Sequence, residues 1–114
     1  MRIESIAHNS RVLTVTCSGI FGMGSGGNPS GKLIKNSIDN WMLSHPSIRI
    51  EQIVVDYSNV DYVNGDGPVS FMLPFIKRGV TKVCFVPNSF NRGPLKALVE
   101  TCRTPWFEVA DPDS

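Results

Sequence analysis

The sequence IVVDYSNVDYVNGDGPVSFMLPFI, residues 53–76, decides the fold that this chain is expected to adopt. It begins with three branched apolar residues and a carboxylate, Ile53 to Asp56, which is typical of a strand buried on both faces and ending where the chain meets water. The polar, glycine-containing stretch that follows predicts a tight loop. Pro68 suits the first turn of a helix because it has no N–H to donate. Loops at the carboxyl ends of parallel strands hold the binding sites of α/β proteins, so we expect the functional surface here.

The loop before this helix has the chemistry of a tight turn. Asn64 and Asp66 accept hydrogen bonds from turn amides, and Gly65 and Gly67 allow backbone angles that are closed to other residues. Asp66 is also placed to cap the free amides of a helix that starts at Pro68.

Hydrophobic periodicity in the rest of the chain predicts alternating strands and helices. The order β-β-α-β-α-β-α-β predicts an α/β fold, with a four- to five-stranded, mostly parallel sheet packed against three to four helices in one domain, residues 1–114. A glycine-rich stretch, 22–31, predicts a loop, and 111–114 an acidic tail. The strands are predicted at 1–7, 11–19, 50–56, 82–86 and 106–109, and the helices at 32–44, at 68–78 with a bend at Pro74, and from 93 to 102.

The apolar face predicted for the helix at 68–78 comprises Val69, Met72, Leu73 and Ile76, which follow helical spacing.

Composition argues against several functional classes. The net charge of +1 creates no basic field that would attract nucleic acid or an anionic membrane. We see no signal peptide and no segment for direct membrane insertion. The three cysteines are odd in number and lack metal or redox spacing, so buried, reduced thiols in a cytoplasmic protein are expected.

The order and spacing of these elements resemble the STAS domain, the fold of bacterial anti-sigma factor antagonists. Its signature is an apolar strand, Asp, a short spacer, two apolar residues and an Asp-Ser-Ser-Gly or Asp-Ser-Thr-Gly loop. The matching segments are the strand and spacer at 54–60, the loop at 62–67, the Gly-turn-strand segment at 79–87, the last helix at 95–102 and the pair Gly19-Ile20 with Phe21.

The resemblance implies a non-catalytic regulatory module in signal transduction that binds a protein. That partner would be an anti-sigma factor of the kinase-like type or a transporter component, and a homodimer is a further expectation. The expected partner-binding residues are Asn64, Gly65, Asp66, Gly67 and Ser70.

In the family, a Ser or Thr in this loop is phosphorylated by a partner kinase, and the added charge breaks the contact. Alignment through Gly67 puts Asp66 at that position, and Asp66 has no hydroxyl. The resemblance thus implies a module that has lost the switch or holds one fixed negative charge; an N-cap is the alternative role. Ser58 and Ser70 are nearby candidate phosphorylation sites, although ordinary turn and helix roles also explain them.

The glycine-rich stretch supports a second hypothesis. Residues 26–32 fit G-x-x-x-x-G-K, but Leu33 stands where a P-loop needs the Ser or Thr that binds Mg²⁺. A nucleotide- or phosphate-binding regulator using 22–32 would hold the anion at Gly26, Gly27, Gly31 and Lys32. The simpler interpretation is a loop that shapes a partner-binding surface.

The sequence supports no catalytic site, metal site or cofactor. His8 and His45 are isolated, and no nucleophile–base arrangement can be argued. Asp56, Asp61 and Asp66 lie around one loop, but strand-end and turn carboxylates explain them without a divalent ion.

Overall fold

The chain folds around a five-stranded sheet in the spatial order β1-β2-β3-β4-β5. The computed structural model describes residues 1–21, 27–63 and 67–110. β1 is antiparallel to β2, and the remaining neighbours are parallel, which confirms the predicted α/β fold with a mostly parallel sheet. The strands are β1 (Arg2–Asn9), β2 (Val12–Phe21), β3 (Gln52–Val63), β4 (Lys82–Val86) and β5 (Phe107–Val109), and the helices are α1 (Gly27–Ser44), α2 (Gly67–Ser70), α3 (Leu73–Ile76) and α4 (Arg92–Cys102).

The helices α1 to α4 of the described residues pack on one face of the sheet. Each crossover advances by one strand in the same direction, and right-handed crossovers then place every helix on the same side. The core lies between the helices and this face, and its largest members include Leu13, Ile34, Ile38, Ile53, Val55, Met72, Phe75, Phe85 and Leu95. On the opposite face, side chains such as Thr14, Thr16 and Val54 are only half-buried. The expectation that the strand from Ile53 would be buried on both faces is therefore wrong.

β3 continues to Val63, seven residues beyond the predicted end at Asp56. It pairs with β2 over this whole length, with two register shifts that leave extra residues on β3. Asp56 accepts a hydrogen bond from the Ser58 amide at 2.9 Å beside the first shift. The bulge puts the buried residues Tyr57 and Val60 three positions apart instead of two, which hid the strand pattern.

α1 begins at Gly27, five residues before the predicted start at Lys32. Residues 27–31 of the predicted glycine-rich loop are therefore helical, and 22–26 lie outside the described residues. Ser30 is buried within this first turn and a half. Tertiary packing here overrides the low helix propensity of Gly and Pro.

The predicted bend at Pro74 is a complete break between two single-turn helices. Pro74 lies in the first turn of α3, where its missing N–H is not needed. Because the break resets the helical phase, Phe75 is buried with Val69 and Met72, whereas Leu73 is exposed. The prediction that Leu73 belongs to the core was wrong.

Candidate functional site

The first predicted site comprises residues 64–67 and Ser70, which follow the carboxyl end of β3 in the sequence. Val63 ends β3 and Gly67 begins α2, so Asn64, Gly65 and Asp66 lie between them, outside the described residues. Ser70 is the last residue of α2 and is half-buried.

The anion site predicted in the glycine-rich stretch is divided in the same way. Gly26 lies outside the described residues, whereas Gly27, Gly31 and Lys32 belong to α1.

A groove of about 440 Å³ separates α1 from the α2–α3 turn. Ser70 and Lys32 both line it, so the structure brings together residues that were predicted for two different sites. The groove is lined by Lys32, Lys35, Asn36, Ser70, Phe71 and Pro74. Its chemistry combines amine, amide and hydroxyl groups with an aromatic ring and a proline.

Lys35 on this groove belongs to a small ion-pair network. It donates to Asp39 at 2.9 Å, and Arg78 also contacts Asp39. Burial opposes the charge on Asp39, but the hydrogen bonds from the two cations outweigh it and hold the pKa of Asp39 below its usual value. The network joins α1 to the turn after α3 and leaves Lys32 as the exposed lysine at the groove.

Gly31 has a packing role that does not require an anion. A Cβ placed on Gly31 would lie 2.1 Å from the nearest atom of the Phe71 ring and 2.7 Å from its Cγ. No side chain fits there unless the whole ring moves. The contact between α1 and the α2–α3 turn therefore accounts for Gly31, and its role in anion binding stays a prediction.

Two asparagines that the sequence interpretation missed hold the far end of β3. β4 pairs with β3 only as far as Asp56 and Val86. Beyond that point, side-chain amides replace the missing strand. The bonds run from Asn91 Nδ2 to the carbonyls of Tyr57 and Val60, both 3.0 Å, and from Asn88 Nδ2 to those of Ser58 and Val60, at 3.1 and 3.0 Å.

The carbonyl oxygens of these two side chains are also used. Asn91 Oδ1 accepts from the Asn88 amide at 2.8 Å, and Asn88 Oδ1 accepts from the amides of Phe90 and Asn91 at 2.9 Å. We call Asn88 and Asn91 the asparagine clamp. Its sequence signal is two Asn three residues apart just after a buried strand. The clamp holds β3 from Tyr57 to Val60, where β4 no longer pairs with it.

Exposed apolar side chains lie at the same edge. Phe90 is 84% exposed in the loop between β4 and α4, within the clamp. Ile20 is 51% exposed near the end of β2, where it stands in register with Tyr62. Large apolar side chains held in water at a loop-rich edge are typical of protein contact sites.

Ser58 lies within β3 and not in a loop. Its amide donates to Asp56 and its carbonyl accepts from Asn88, so its backbone is held on both sides. Phosphorylation of Ser58 or Ser70 stays a prediction.

The buried thiols do not provide nucleophiles. Cys17 and Cys84 are buried, as predicted, whereas Cys102, which was also expected to be buried, is only half-buried. Burial, with a smaller contribution from the Asp56 charge, raises the pKa of Cys17 to about 12, and burial also raises the pKa of Cys84. Tyr57, wholly buried beside Phe21 and Phe85, has a pKa raised well above its usual value by burial. These groups stay protonated at neutral pH and serve packing.

The raised pKa of Cys17 predicts a loss of stability in alkali. The thiol ionises near pH 9.0 in the unfolded chain and near 12 in the folded one, so its stabilising contribution is complete below pH 9 and is lost progressively between pH 9 and 12. Urea unfolding at pH 8, 9.5 and 11 should show that the free energy of unfolding decreases as the pH rises. The decrease should be smaller in Cys17→Val than in the wild type, and Cys84 and Tyr57 should contribute to the decrease that remains. Parallel curves for both proteins would contradict this assignment.

The described part of the chain offers no metal-binding group of three or more His, Cys, Asp or Glu. Of the three aspartates discussed above, Asp56 and Asp61 lie on β3 and Asp66 is outside the described residues. His45 follows the end of α1, and its ring stacks on Trp41 with centroids 4.1 Å apart. Within the described residues, no helix has the length and apolar character required to cross a membrane.

Comparison with known proteins extends the fold assignment. The sequence matches none of the protein-family models and none of the curated proteins with which it was compared. Among solved structures, the chain is similar to the anti-sigma factor antagonist SpoIIAA in its unphosphorylated form, with a TM-score of 0.63 and 10% identity over 96% of this chain and 89% of that one. This chain therefore has a STAS-like fold, the fold of an anti-sigma factor antagonist.

Proposed function

We propose that this protein is a non-catalytic regulatory module that binds a protein partner through the carboxyl edge of its sheet. The binding surface comprises the turn and helix start at 64–70, the exposed side chain of Phe90 and the first half of α1. The observation that carries the proposal is the asparagine clamp, which holds β3 at Tyr57, Ser58 and Val60 and leaves Phe90 exposed at the same edge of the sheet.

The described segments on either side of residues 64–66 are anchored. β3 pairs with β2 up to Val63, and the clamp replaces β4 on its other side. α2 is anchored by the buried side chain of Val69. Anchored segments lose little conformational entropy when a partner contacts them, which favours recognition of another protein.

Asp66 supplies one fixed negative charge to this surface. In this proposal the contact is steric and electrostatic, and no bond is made or broken. Since Asp66 carries no hydroxyl, it cannot take a phosphate as the Ser or Thr of the family does; Ser58 and Ser70 are the nearby candidate acceptors. The partner would be a kinase-like anti-sigma factor or a transporter component, and the module would act in the cytoplasm, where thiols such as Cys17 stay reduced.

Reversing the charge of Asp66 is expected to weaken partner capture at least about fivefold, since a single charge contact in an interface contributes on the order of 1 kcal/mol. Immobilised Asp66→Lys should retain less of the protein that the wild type captures from the native source, as quantified by mass spectrometry. Phe90→Ala should lose the same protein because it removes an exposed apolar contact.

Glu100→Lys is the matched control, because it makes the same charge change on exposed α4. It should capture as the wild type does, and melting temperatures should agree among all four proteins. Equal capture by Asp66→Lys, Phe90→Ala and wild type would contradict the proposal.

The second candidate function is anion binding at the groove that Lys32 and Ser70 share. An exposed amine near a hydroxyl and the Asn36 amide has the chemistry for a phosphate group. Thermal-shift titration with ATP, GTP and inorganic phosphate separates the two functions. Stabilisation that disappears in Lys32→Ala favours the anion, and the absence of any shift favours protein binding alone.

A further inference from the structure

A second groove lies between α3 and the turn that joins α4 to β5. Its volume is about 510 Å³. It opens beside the amino ends of β4 and β5, at the edge of the sheet opposite the proposed surface at 64–70. We call it the α3–α4 groove and define it by the lining residues Leu73, Ile76, Lys77, Cys102, Arg103 and Trp106.

The α3–α4 groove exposes more apolar surface than packing requires. Leu73 is 42% exposed and Trp106 is 44% exposed, whereas Ile76 and Cys102 are half-buried and pack against the core. Leu73 points into water because the break before Pro74 turned it away from the core. An indole and a leucine beside a concave surface suit apolar side chains of a partner.

Charge in this fold is divided between its two layers. The helical segments and their turns at 27–44, 67–79 and 92–104 carry seven Lys or Arg against two acidic residues, Asp39 and Glu100. The five strands, within the described residues, carry two basic and four acidic residues. The helical layer is therefore basic although the whole chain carries only +1. Such a layer attracts an acidic partner and repels a basic one.

Two exposed cations belong to the α3–α4 groove itself, Lys77 and Arg103. Arg103 directly follows the last residue of α4 and has a φ of 49°, in the left-handed region that glycine normally occupies at this position. An arginine therefore stands where glycine would be less strained, and it lines the same groove as Trp106.

From the apolar lining, the two cations and the charge of the layer, we propose that the α3–α4 groove binds an acidic amphipathic segment of a partner protein. Leucine-like side chains of that segment contact Leu73, Ile76 and Trp106, and its carboxylates pair with Lys77 and Arg103. A concave groove favours a protein segment over a flat membrane surface. This site is separate from the surface at 64–70 and does not depend on the function proposed for it.

The test uses a synthetic helical peptide of about four turns, with leucines at i, i+3, i+4 and i+7 and glutamates elsewhere. In a Trp41→Phe background, Trp106 becomes the sole tryptophan and reports binding by its fluorescence; calorimetry on the unmodified chain provides a second measurement. We expect saturable binding that weakens as salt rises. We also expect it to weaken about tenfold in the double variant Lys77→Gln/Arg103→Gln.

Arg2→Gln is the control, because it removes an exposed positive charge on β1, the edge strand farthest from β5 in the sheet. It should leave binding of the peptide within twofold of wild type. The same peptide with lysine in place of glutamate should not bind. The proposal would be overturned if no saturable binding were seen, or if both peptides bound equally. It would also be overturned if Arg2→Gln weakened binding as much as Lys77→Gln/Arg103→Gln does, or if the chain bound phosphatidylglycerol vesicles but not the acidic peptide.

Discussion

Replacing Asn91 with alanine is expected to lower the free energy of unfolding by about 2–4 kcal/mol, since it removes a buried side-chain amide that donates to two backbone carbonyls. Asn91 is 1% exposed, and its amide donates to the carbonyls of Tyr57 and Val60. Alanine leaves a void and takes a donor away from each of these carbonyls. Urea unfolding monitored by circular dichroism measures the change.

Two further variants test whether the loss at Asn91 comes from its hydrogen bonds. Asn91→Asp keeps the size but turns a carboxylate oxygen toward two carbonyl oxygens, so it should be at least as damaging. Asn40→Ala, on the exposed side of α1, should stay within about 0.5 kcal/mol of wild type. If Asn91→Ala were as stable as Asn40→Ala, the clamp would not hold the end of β3.

Gly31→Ala is expected to destabilise the protein by about 1–3 kcal/mol, although alanine favours a helix. The reason is the Phe71 ring, whose nearest atom would lie 2.1 Å from the new Cβ. Gly93→Ala is the matched control, because Gly93 is also helical, in α4, and its Cβ would meet nothing within 4 Å. That variant should be neutral or up to about 1 kcal/mol more stable.

A double-mutant cycle assigns the effect of Gly31→Ala to the contact with Phe71. Removing the ring in Phe71→Ala should make the additional Gly31→Ala change harmless, which gives a large coupling between the two sites. If Gly31→Ala were as stable as Gly93→Ala in the wild-type background, the close contact between α1 and the α2–α3 turn would be contradicted.

The two proposed contact regions lie at opposite ends of the strands, one at their carboxyl ends and one at their amino ends. The surface proposed at 64–70 depends on Asp66 and an exposed Phe90, whereas the α3–α4 groove depends on apolar side chains and two cations. A module with both regions would hold two different elements of one partner, or two partners at once, and only the α3–α4 groove would select an acidic one. Asp66→Lys and the Lys77→Gln/Arg103→Gln variant separate these cases, because each alters one region only.

Much of this fold is visible in local sequence signals. Apolar runs such as Ile53–Val55 specify buried strand centres, and helical spacing specifies the faces that carry Ile34 and Ile38. Pro74 excludes one continuous helix over 68–78, because it lacks the amide that a helix interior needs, and it therefore lies in the first turn of a new helix. The order of these elements leads to one parallel sheet with helices on one face, since right-handed crossovers allow few other arrangements.

Other features arise only from contacts between segments that are distant along the chain. β3 extends to Val63 because β2 pairs with it and the side chains of Asn88 and Asn91 replace β4, thirty residues later. α1 includes Gly31 because the ring of Phe71 packs against it. Neither the asparagine clamp nor the basic helical layer can be read from local pattern or net charge.

The sequence by itself therefore determined the class of fold and a disturbance of the helix at Pro74, since each depends on a few adjacent residues and their own backbone preferences. Only the tertiary structure decided where β3 and α1 end or begin, that the bend predicted at Pro74 is a break, which residues hold the end of β3, and that Leu73 and Trp106 share a groove with two cations. The physical reason is that hydrogen-bond partners and close packing are supplied by residues remote in sequence, and these contacts override local propensity wherever the two conflict.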